Sequence, residues 1–269
     1  MRAYFTKPDI ARLRREGNTL VDMHAHSEYS HDCRTPLALV IEKARAEGYC
    51  VALTDHNRVD GVATAMRMRA HDTIMPGIEI TTKEGKDVIA YFYRHKDLLA
   101  FYEKRLRGHI KRKSSIRSGA TGITMAALLD ELRKEECVIC LPHPFAMHPR
   151  RSYGHFRRKK NRGSLEHVHA IEVINQALLH RQNLAAVGWA TELGKPIVAG
   201  SDAHTIKALG TALTVGTAKD WAGFLDQVKE RKVFVIGEER KFRHQMVDSV
   251  KNGTRVLATK ARILRKRKV

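Results

Sequence analysis

The stretch Leu20-Val-Asp-Met-His-Ala-His26 joins a short apolar run to a polar end. The apolar part has the length and composition of a buried strand. Residues two apart on an extended chain point to the same face, so His24 and His26 can both reach one ion. A single His-x-His motif is weak evidence for a metal site, because such motifs often occur by chance. Its meaning depends on the rest of the chain.

Strands alternate with helices along the whole sequence. We predict strands at 20–23, 50–54, 75–81, 88–93, 137–141, 169–175, 196–199 and 232–236, with helices at 35–48, 61–70, 96–113, 124–136, 178–193 and 221–230. This alternation predicts a parallel α/β sheet, either open or closed into a barrel. The carboxyl ends of parallel strands form one rim, where ligands bind.

At least six successive units place a polar side chain where a strand ends or begins. Core packing does not call for so many costly polar groups at one rim. The groups are imidazoles and carboxylates without thiolates, which suit zinc, manganese or iron. Two such ions can clamp both ends of an in-line displacement at phosphorus. The residues are His24, His26, Asp55, His56, Glu79, Asp87, His143, Asp202 and His204.

The pair Cys137 and Cys140 invites a zinc or redox interpretation. Positions three apart on a strand face opposite sides, however, and the sequence holds no second cysteine pair. We therefore predict two buried structural cysteines.

Seven motifs, spread over residues 20 to about 215, match one known family in order and spacing. They are Val21-Asp-Met-His-Ala-His26, Tyr29-Ser30 with Asp32, Leu53-Thr-Asp-His-Asn57, Pro76-Gly-Ile-Glu79, Pro142-His-Pro-Phe145, Ile171-Glu-Val-Ile-Asn175 and Gly200-Ser-Asp-Ala-His204. On these motifs the sequence resembles the PHP superfamily, named for polymerase and histidinol phosphatase. The resemblance does not cover the first 17 residues, the basic loop or the tail.

This resemblance implies a distorted (β/α)7 TIM-like barrel with a di- or trinuclear metal centre. It also implies three groups of ligands. The first ion would be held by His24, His26, Glu79 and Asp202, the second by Glu79 and His143, and the third by Asp32, His56 and His204.

Two positions depart from the family pattern or leave it open. The family often has a histidine where Asp87 stands. The aspartate keeps a ligand but makes it harder and anionic, which favours manganese or iron at the second site. His31 is an alternative to Asp32, because some members place the acidic ligand one residue earlier.

The expected mechanism is attack on phosphorus by a metal-held hydroxide. A protonated His204 or His31 would assist the leaving oxygen as general acid. Arg150 or Arg151 would grip a second phosphate or the transition state, since guanidinium binds phosphate in a bidentate way. Plain surface charge is the alternative for both arginines. Glu172 and Asn175 would orient ligands or only join strand ends.

The net charge of +20 comes from three segments. Residues 104–117 and 150–162 each carry seven positive and no negative charges, and residues 241–269 carry ten positive and one negative. Such segments attract polyanions, including nucleic acid. A solubilising surface is the other interpretation, and composition alone does not decide between them.

The organisation expected from the sequence has three parts. Residues 1–18 form a basic leader, residues 19–240 the PHP domain with a basic loop at 146–167, and residues 241–269 a basic tail. No apolar run is long enough to span a membrane, and residues 1–17 do not resemble a secretory signal. We therefore expect a cytoplasmic protein without a membrane partner, and the sequence does not give its oligomeric state.

Three functions remain open. The first is hydrolysis of a small phosphate monoester, a nucleotide or a nucleoside bisphosphate. The second is a nuclease or exonuclease on oligonucleotides, because the basic loop interleaves Tyr153 and Phe156 with arginines, as single-strand binding surfaces do. The third is a nucleic-acid-binding protein with a vestigial metal site, against which the near-complete ligand set argues. Nothing in the sequence selects histidinol phosphate as substrate.

Overall fold

The computed structural model describes residues 2–110, 119–147, 150–158 and 161–239. The strands are β1 (Ala3–Tyr4), β2 (Thr19–Ala25), β3 (Cys50–Leu53), β4 (Ile74–Thr81), β5 (Asp87–Phe92), β6 (Cys137–Leu141), β7 (Ala170–Asn175), β8 (Ile197–Gly200), β9 (Ala212–Gly216) and β10 (Phe234–Gly237). The α-helices are α1 (Ile10–Arg15), α2 (Leu37–Glu47), α3 (Asp60–Arg67), α4 (His95–Phe101), α5 (Met125–Leu132), α6 (Tyr153–Phe156), α7 (His180–Glu192) and α8 (Trp221–Lys229).

The strands form one curled sheet in the order β1-β10-β9-β2-β3-β4-β5-β6-β7-β8. The seven strands β2 to β8 thus lie side by side in chain order. The curl brings β8 back to β2, where Ala25 and Ala203 form an isolated bridge. Beside it, the Asp202 N–H donates to the His24 carbonyl over 2.7 Å. The expected distorted TIM-like barrel is confirmed in this curled α/β sheet.

The sheet is mixed and not wholly parallel, which corrects the prediction. β5 runs antiparallel to β4 and to β6. Only residues 82–86 join β4 to β5, and antiparallel neighbours need such a short turn while parallel ones need a crossover. The reversal pairs Asp87, the first residue of β5, with Thr81, the last residue of β4. Asp87 therefore lies at the rim despite beginning its strand.

Strand β9 was absent from the sequence prediction. It runs antiparallel to both β2 and β10. The Thr214 hydroxyl accepts from the Ala199 N–H over 2.8 Å, so β9 also contacts β8. This strand therefore lines the seam between β2 and β8 below the rim.

Two apolar layers hold the sheet in place. The helices pack on its outer face, and a second cluster fills its concave side with residues such as Met23, Met75 and Tyr91. Phe224 and Leu225 of α8 belong to that inner cluster, so α8 closes the barrel at the end away from the polar rim. Burying one such side chain contributes about 1.5–3 kcal/mol.

Two predicted segments differ in detail, and a third agrees with the prediction. The helix expected at 96–113 is an α-helix only as far as Phe101. It continues as a π-helix over Tyr102–Leu106 and as a 3-10 helix over Arg107–His109. The basic loop contains the short helix α6. Cys137 and Cys140 are buried free thiols in opposite apolar layers, as predicted.

The first 18 residues contribute to the barrel unit. Ala3 and Tyr4 pair in parallel with Val235 and Ile236 of β10. Leu13 of α1 is buried in the outer apolar layer. The basic tail at 241–269 lies outside the described residues. Within the described ranges no helix has the length and apolarity to cross a bilayer, and the cytoplasmic location stays a prediction.

Candidate metal centre

All nine predicted metal ligands meet at one rim of the barrel. Contacts of less than 4 Å link them into a single network. They come from strands β2, β4 and β5 and from the turns that follow β2, β3, β6 and β8. The set consists of His24, His26, Asp32, His56, Glu79, Asp87, His143, Asp202 and His204.

The carboxylate of Glu79 lies in the middle of this network. Its Oε2 is 3.4 Å from His24 Nε2 and 3.1 Å from His56 Nδ1. Its Oε1 is 3.0 Å from His143 Nε2. Glu79 Oε2 is buried and makes no hydrogen bond. A buried carboxylate oxygen without a hydrogen bond is costly unless a cation satisfies it.

His24 is oriented for ligation by a neighbour on β7. Its Nδ1 lies 2.9 Å from Glu172 Oε1. Because the carboxylate accepts, Nδ1 carries a proton, and Nε2, the nitrogen left for ligation, faces the cluster. That Nε2 lies 3.2 Å from His26 Nε2, and Asp202 Oδ1 is 3.2 Å from the same His26 nitrogen. Two imidazole nitrogens and a carboxylate thus point to one position.

Glu172 supports the centre at a second point. Its Oε2 accepts from the backbone N–H of His143 over 2.7 Å and from Asn175 Nδ2 over 3.0 Å. Asn175 Nδ2 also lies 3.3 Å from Asp202 Oδ2. The orienting role predicted for Glu172 and Asn175 therefore has its contacts in the structure.

A third part of the network surrounds Asp32. Its Oδ2 lies 3.4 Å from His56 Nε2 and 3.3 Å from His204 Nε2. His31 instead lies against Gly119, with its ring centroid 5.1 Å from that of His56. Of the two alternatives, Asp32 has the direct contacts to the other predicted ligands.

Backbone conformation turns two of the side chains into the rim. His143 has φ 31° and Asp202 has φ 52°, both in the left-handed region that non-glycine residues rarely adopt. Each follows the end of a strand, β6 or β8. Such strained residues tend to occur at functional sites, where surrounding contacts hold them. Here the Glu172 carboxylate and the His24 carbonyl accept their N–H groups.

The acidic members of the network are held in their ionised form, except Asp87. Burial opposes ionisation of Glu79 and Asp202, but the surrounding histidines outweigh it and hold the pKa of both carboxyls well below the ordinary value. The pKa of Asp32 is lowered in the same way by His204 and His56. Burial, followed by the charge of Glu79, raises the pKa of Asp87, although Arg150 opposes this.

The pKa values of His24 and His26 are shifted in opposite directions. Burial alone would lower the pKa of His24, but Asp202, Glu172 and Glu79 raise it well above its ordinary value. Burial and the nearby His204 lower the pKa of His26 to about 3. The His26 imidazole is therefore neutral at physiological pH and able to donate a lone pair to a cation.

The two predicted arginines have different positions. Arg150 Nη1 lies 3.0 Å from His56 Nε2 and 3.4 Å from Asp87 Oδ2, so it reaches the centre. Arg151 lies outside the ligand network, with its guanidinium carbon over the rings of Phe145 and Tyr153. Only Arg150 is placed to contact a group bound at the centre itself.

The donor set fits divalent metal ions. Four overlapping groups of side chains bring ligand atoms within 4.8 Å of one another, and they share His24, His26, His56 and Glu79. Imidazole and carboxylate donors suit zinc, manganese and iron. The groups are His26-Asp32-His56-His204, His24-His143-Asp202, His24-His26-Glu79 and His56-Glu79-Asp87.

Two buried aspartates support the rim through hydrogen bonds: Asp22, which had no role in the sequence interpretation, and Asp55, which was one of the predicted strand-end carboxylates. Asp22 accepts from the N–H groups of Ser201 and Gly210, over 2.8 and 2.9 Å, and so ties β2 to the turn after β8. Asp55 accepts from the backbone and hydroxyl of Ser27 over 2.7 and 2.8 Å. Both lie inside the quoted motifs. The sequence signal for a buried supporting role was a charged residue within the apolar strand β2 (Asp22) or just after the apolar strand β3 (Asp55).

Comparison with known proteins agrees with this geometry. A family model described as PHP-associated matches residues 180–233. An uncharacterised protein of Methanocaldococcus jannaschii is 28% identical over 193 residues, which cover 71% of this chain and 68% of that one. A two-domain protein from Bacteroides vulgatus, described as containing a predicted PHP-like metal-dependent phosphoesterase, superposes with a TM-score of 0.61 at 16% identity. The match covers 88% of this chain and 69% of that chain.

The chain has a PHP-like fold. Another structural neighbour is the lesion-specific endonuclease Q of Pyrococcus furiosus. It matches with a TM-score of 0.63 at 14% identity, over 81% of this chain and 57% of that chain. At these identities the likeness of the solved structures establishes the PHP fold, while the chemistry of this chain has to be argued from its own residues.

Proposed function

We propose that this protein is a member of the PHP superfamily and a metal-dependent hydrolase of phosphate esters. One observation supports this above all: Glu79 lies within 3.5 Å of ring nitrogens from four histidines, and one of its buried oxygens makes no hydrogen bond. That arrangement suits a carboxylate shared between divalent ions. The solved structures described as metal-dependent phosphoesterases have the same fold.

The proposed ligand groups follow the contacts. The first comprises His24, His26, Glu79 and Asp202, the second Glu79, Asp87 and His143, and the third Asp32, His56 and His204. When bound, divalent ions supply positive charge to the phosphate oxygens and lower the pKa of water. As an oxygen ligand, Asp87 would favour manganese or iron in the second group, whereas the imidazole-rich groups also suit zinc.

Two further residues act on the substrate in this proposal. The Arg150 guanidinium, next to Asp87 and His56, binds a phosphate oxygen and stabilises the charge of the transition state. His204 is placed to give a proton to the leaving oxygen. Asp32 and Asp202 outweigh the effect of burial and raise its pKa to about 9. An imidazole that holds a cation is deprotonated, so the ligand and acid roles of His204 exclude one another.

A nuclease is the second candidate function. The basic residues beside the centre favour it, and so does the likeness to endonuclease Q, one structure of which holds a 27-mer duplex with an abasic lesion. A small phosphorylated substrate is served by the same centre. A binding protein with a vestigial metal site is less well supported, because all nine predicted ligands are in contact.

Metal content and a substrate panel test the proposal together. We expect at least two equivalents of bound metal per chain after loading with manganese, iron or zinc. We also expect turnover of one or more members of a panel of phosphomonoesters, nucleotides, bisphosphates and oligonucleotides. Less than one equivalent of metal, together with no turnover on any substrate, would contradict a metallohydrolase.

Replacing Glu79 with Gln should lower both the bound metal per chain and the rate of phosphate ester hydrolysis. The amide keeps the size of the side chain but removes the charge that faces four histidines. We expect the loss of at least one metal equivalent and a fall in kcat/KM of about a hundredfold or more. Metal analysis and steady-state kinetics measure these effects. Glu42→Gln on the exposed face of α2 is the matched control and should leave both unchanged.

A further inference from the structure

A flat cationic surface lies beside the metal centre, outside the ligand network. The Phe145 and Tyr153 rings stack with centroids 4.4 Å apart. The Arg151 guanidinium carbon lies 5.9 Å and 5.4 Å from the two ring centroids. Arg151 is exposed, so its guanidinium is supported by rings and accessible from solvent. We call Phe145, Arg151 and Tyr153 the aromatic–arginine surface.

This surface is fixed to the centre by the chain itself. Phe145 follows His143 by two residues, and the Tyr153 N–H donates to the carbonyl of the intervening Pro144 over 3.1 Å. Arg151 directly follows Arg150, which contacts His56 and Asp87. The Gln182 side chain donates to the Phe145 carbonyl over 2.8 Å and ties the segment to α7. A ligand on this surface is therefore adjacent to one bound at the metals.

More positive charge surrounds the same place. Arg158 is exposed and lies two residues beyond α6, the helix that carries Tyr153. A second anionic group next to the scissile phosphate would be stabilised there. Phe156, by contrast, is buried against Trp189 and is not available for stacking, which corrects its sequence-based role.

We propose that the aromatic–arginine surface binds a nucleotide unit of the substrate, with its base on Arg151 and its neighbouring phosphate on the same basic segment, at Arg158. Bases stack on guanidinium planes and on aromatic rings, and phosphates pair with lysine and arginine. The substrate class is then a phosphate ester with a base and a second phosphate. Both a nucleoside bisphosphate and the end of a single-stranded oligonucleotide have this chemistry. The inference rests on the proposed hydrolytic function of the adjacent centre.

Binding and turnover are measured separately to test it. The metal-loaded protein is titrated into a fluorescent single-stranded oligonucleotide with phosphorothioate linkages, which resist hydrolysis, and anisotropy is recorded. Arg151→Ala should weaken binding roughly tenfold, within the range that base stacking contributes. Arg157→Ala removes the same charge from the same exposed segment and should change binding less than twofold. Equal effects of the two variants would overturn the proposal, because they would reflect net charge alone.

The chemistry of the contact is separated by a conservative variant and a second substrate. Arg151→Lys keeps the charge but not the plane, so it should recover less than half of the lost binding, while full recovery would contradict stacking. In turnover, Arg151→Ala should lower kcat/KM for oligonucleotide or bisphosphate about tenfold and leave glycerol phosphate within twofold. An equal loss on glycerol phosphate would also contradict the proposal.

Two outcomes distinguish this inference from the proposed function. If no phosphate ester is hydrolysed but binding still depends on Arg151, the surface is supported and the hydrolase is wrong. If glycerol phosphate is hydrolysed but Arg151→Ala changes neither binding nor turnover of oligonucleotide and bisphosphate, the hydrolase is supported and the proposed role of the surface is wrong. Competition between bisphosphate and oligonucleotide then identifies the source: the one that displaces the other at lower concentration is the preferred ligand.

Discussion

At the scale of single residues, the centre depends on carboxylates that orient histidines as much as on the histidines themselves. Glu172 illustrates this, since one oxygen fixes the His24 ring and the other holds the His143 backbone. Replacing Glu172 with Gln removes the charge that sets the His24 tautomer. We expect metal affinity to fall about 10- to 100-fold, with the fold retained. Metal titration and circular dichroism measure the two. Unchanged affinity would show that Glu172 only joins strands.

The two roles proposed for His204 predict different kinetics. A general acid matters most when the leaving group is poor, because a good leaving group departs without a proton. If His204 is the acid, His204→Ala should slow an alkyl phosphate about a hundredfold and p-nitrophenyl phosphate less than tenfold, with metal content unchanged. If His204 is a ligand, both substrates should slow equally and metal should be lost. His31→Ala is the control variant, because His31 lies outside the direct contacts among the predicted ligands.

At the scale of elements, the approach of β8 to β2 shapes the centre. A Cβ added at Gly200 would lie 2.3 Å from the His24 Cβ and 2.5 Å from its backbone nitrogen. Gly200→Ala must therefore push β8 from β2, and we expect a loss of unfolding free energy of about 2 kcal/mol or more. Gly188→Ala in α7 meets nothing within 4 Å and should be neutral or slightly stabilising. Urea denaturation measures both. An unchanged unfolding free energy for Gly200→Ala would mean that β8 and β2 are not closely packed.

The sequence allowed most of the strands, and the residues that gather at the candidate centre, to be predicted, because both follow short local patterns. His24 and His26 show the two-residue repeat of a strand, and Asp202 and His204 follow a short apolar run. Asp87 was predicted as a ligand, but its place at the rim depends on the hairpin between β4 and β5, which the alternation of strands and helices conceals. The position of Arg150 could not be derived, since residues 146–167 show no periodicity. Its contacts depend on how the segment folds back over β6 and α7.

At the scale of the whole molecule, one histidine far from the centre makes stability depend on pH. His169 Nδ1 accepts from the Ile139 N–H over 2.9 Å. Burial, helped by the charges of Lys229, Lys195 and His167, lowers its pKa from 6.5 to about 4. The unfolded chain therefore binds a proton at a higher pH than the folded chain does. The stabilisation is complete above pH 6.5 and is lost as pH falls towards 4.

Between about pH 7.5 and 5 this residue should account for a loss of about 1 kcal/mol, after allowance for its partial exposure. His169→Asn keeps an acceptor for the Ile139 N–H but does not titrate. The variant should match the parent in urea at the higher pH and be less destabilised at the lower one. Parallel curves for the two proteins would show that His169 is not the titrating group.

The bond between Asp202 N–H and the His24 carbonyl also has a consequence for biosynthesis. It joins the beginning of the barrel to its end, and the carboxylate and imidazole it fixes belong to the same ligand group. A nascent chain that ends before β8 has His24, His26, His56 and His143 but lacks Asp202 and His204, so its ligand set is incomplete. Binding of the ions would then be among the last steps of folding, and metal uptake would report that the barrel has closed.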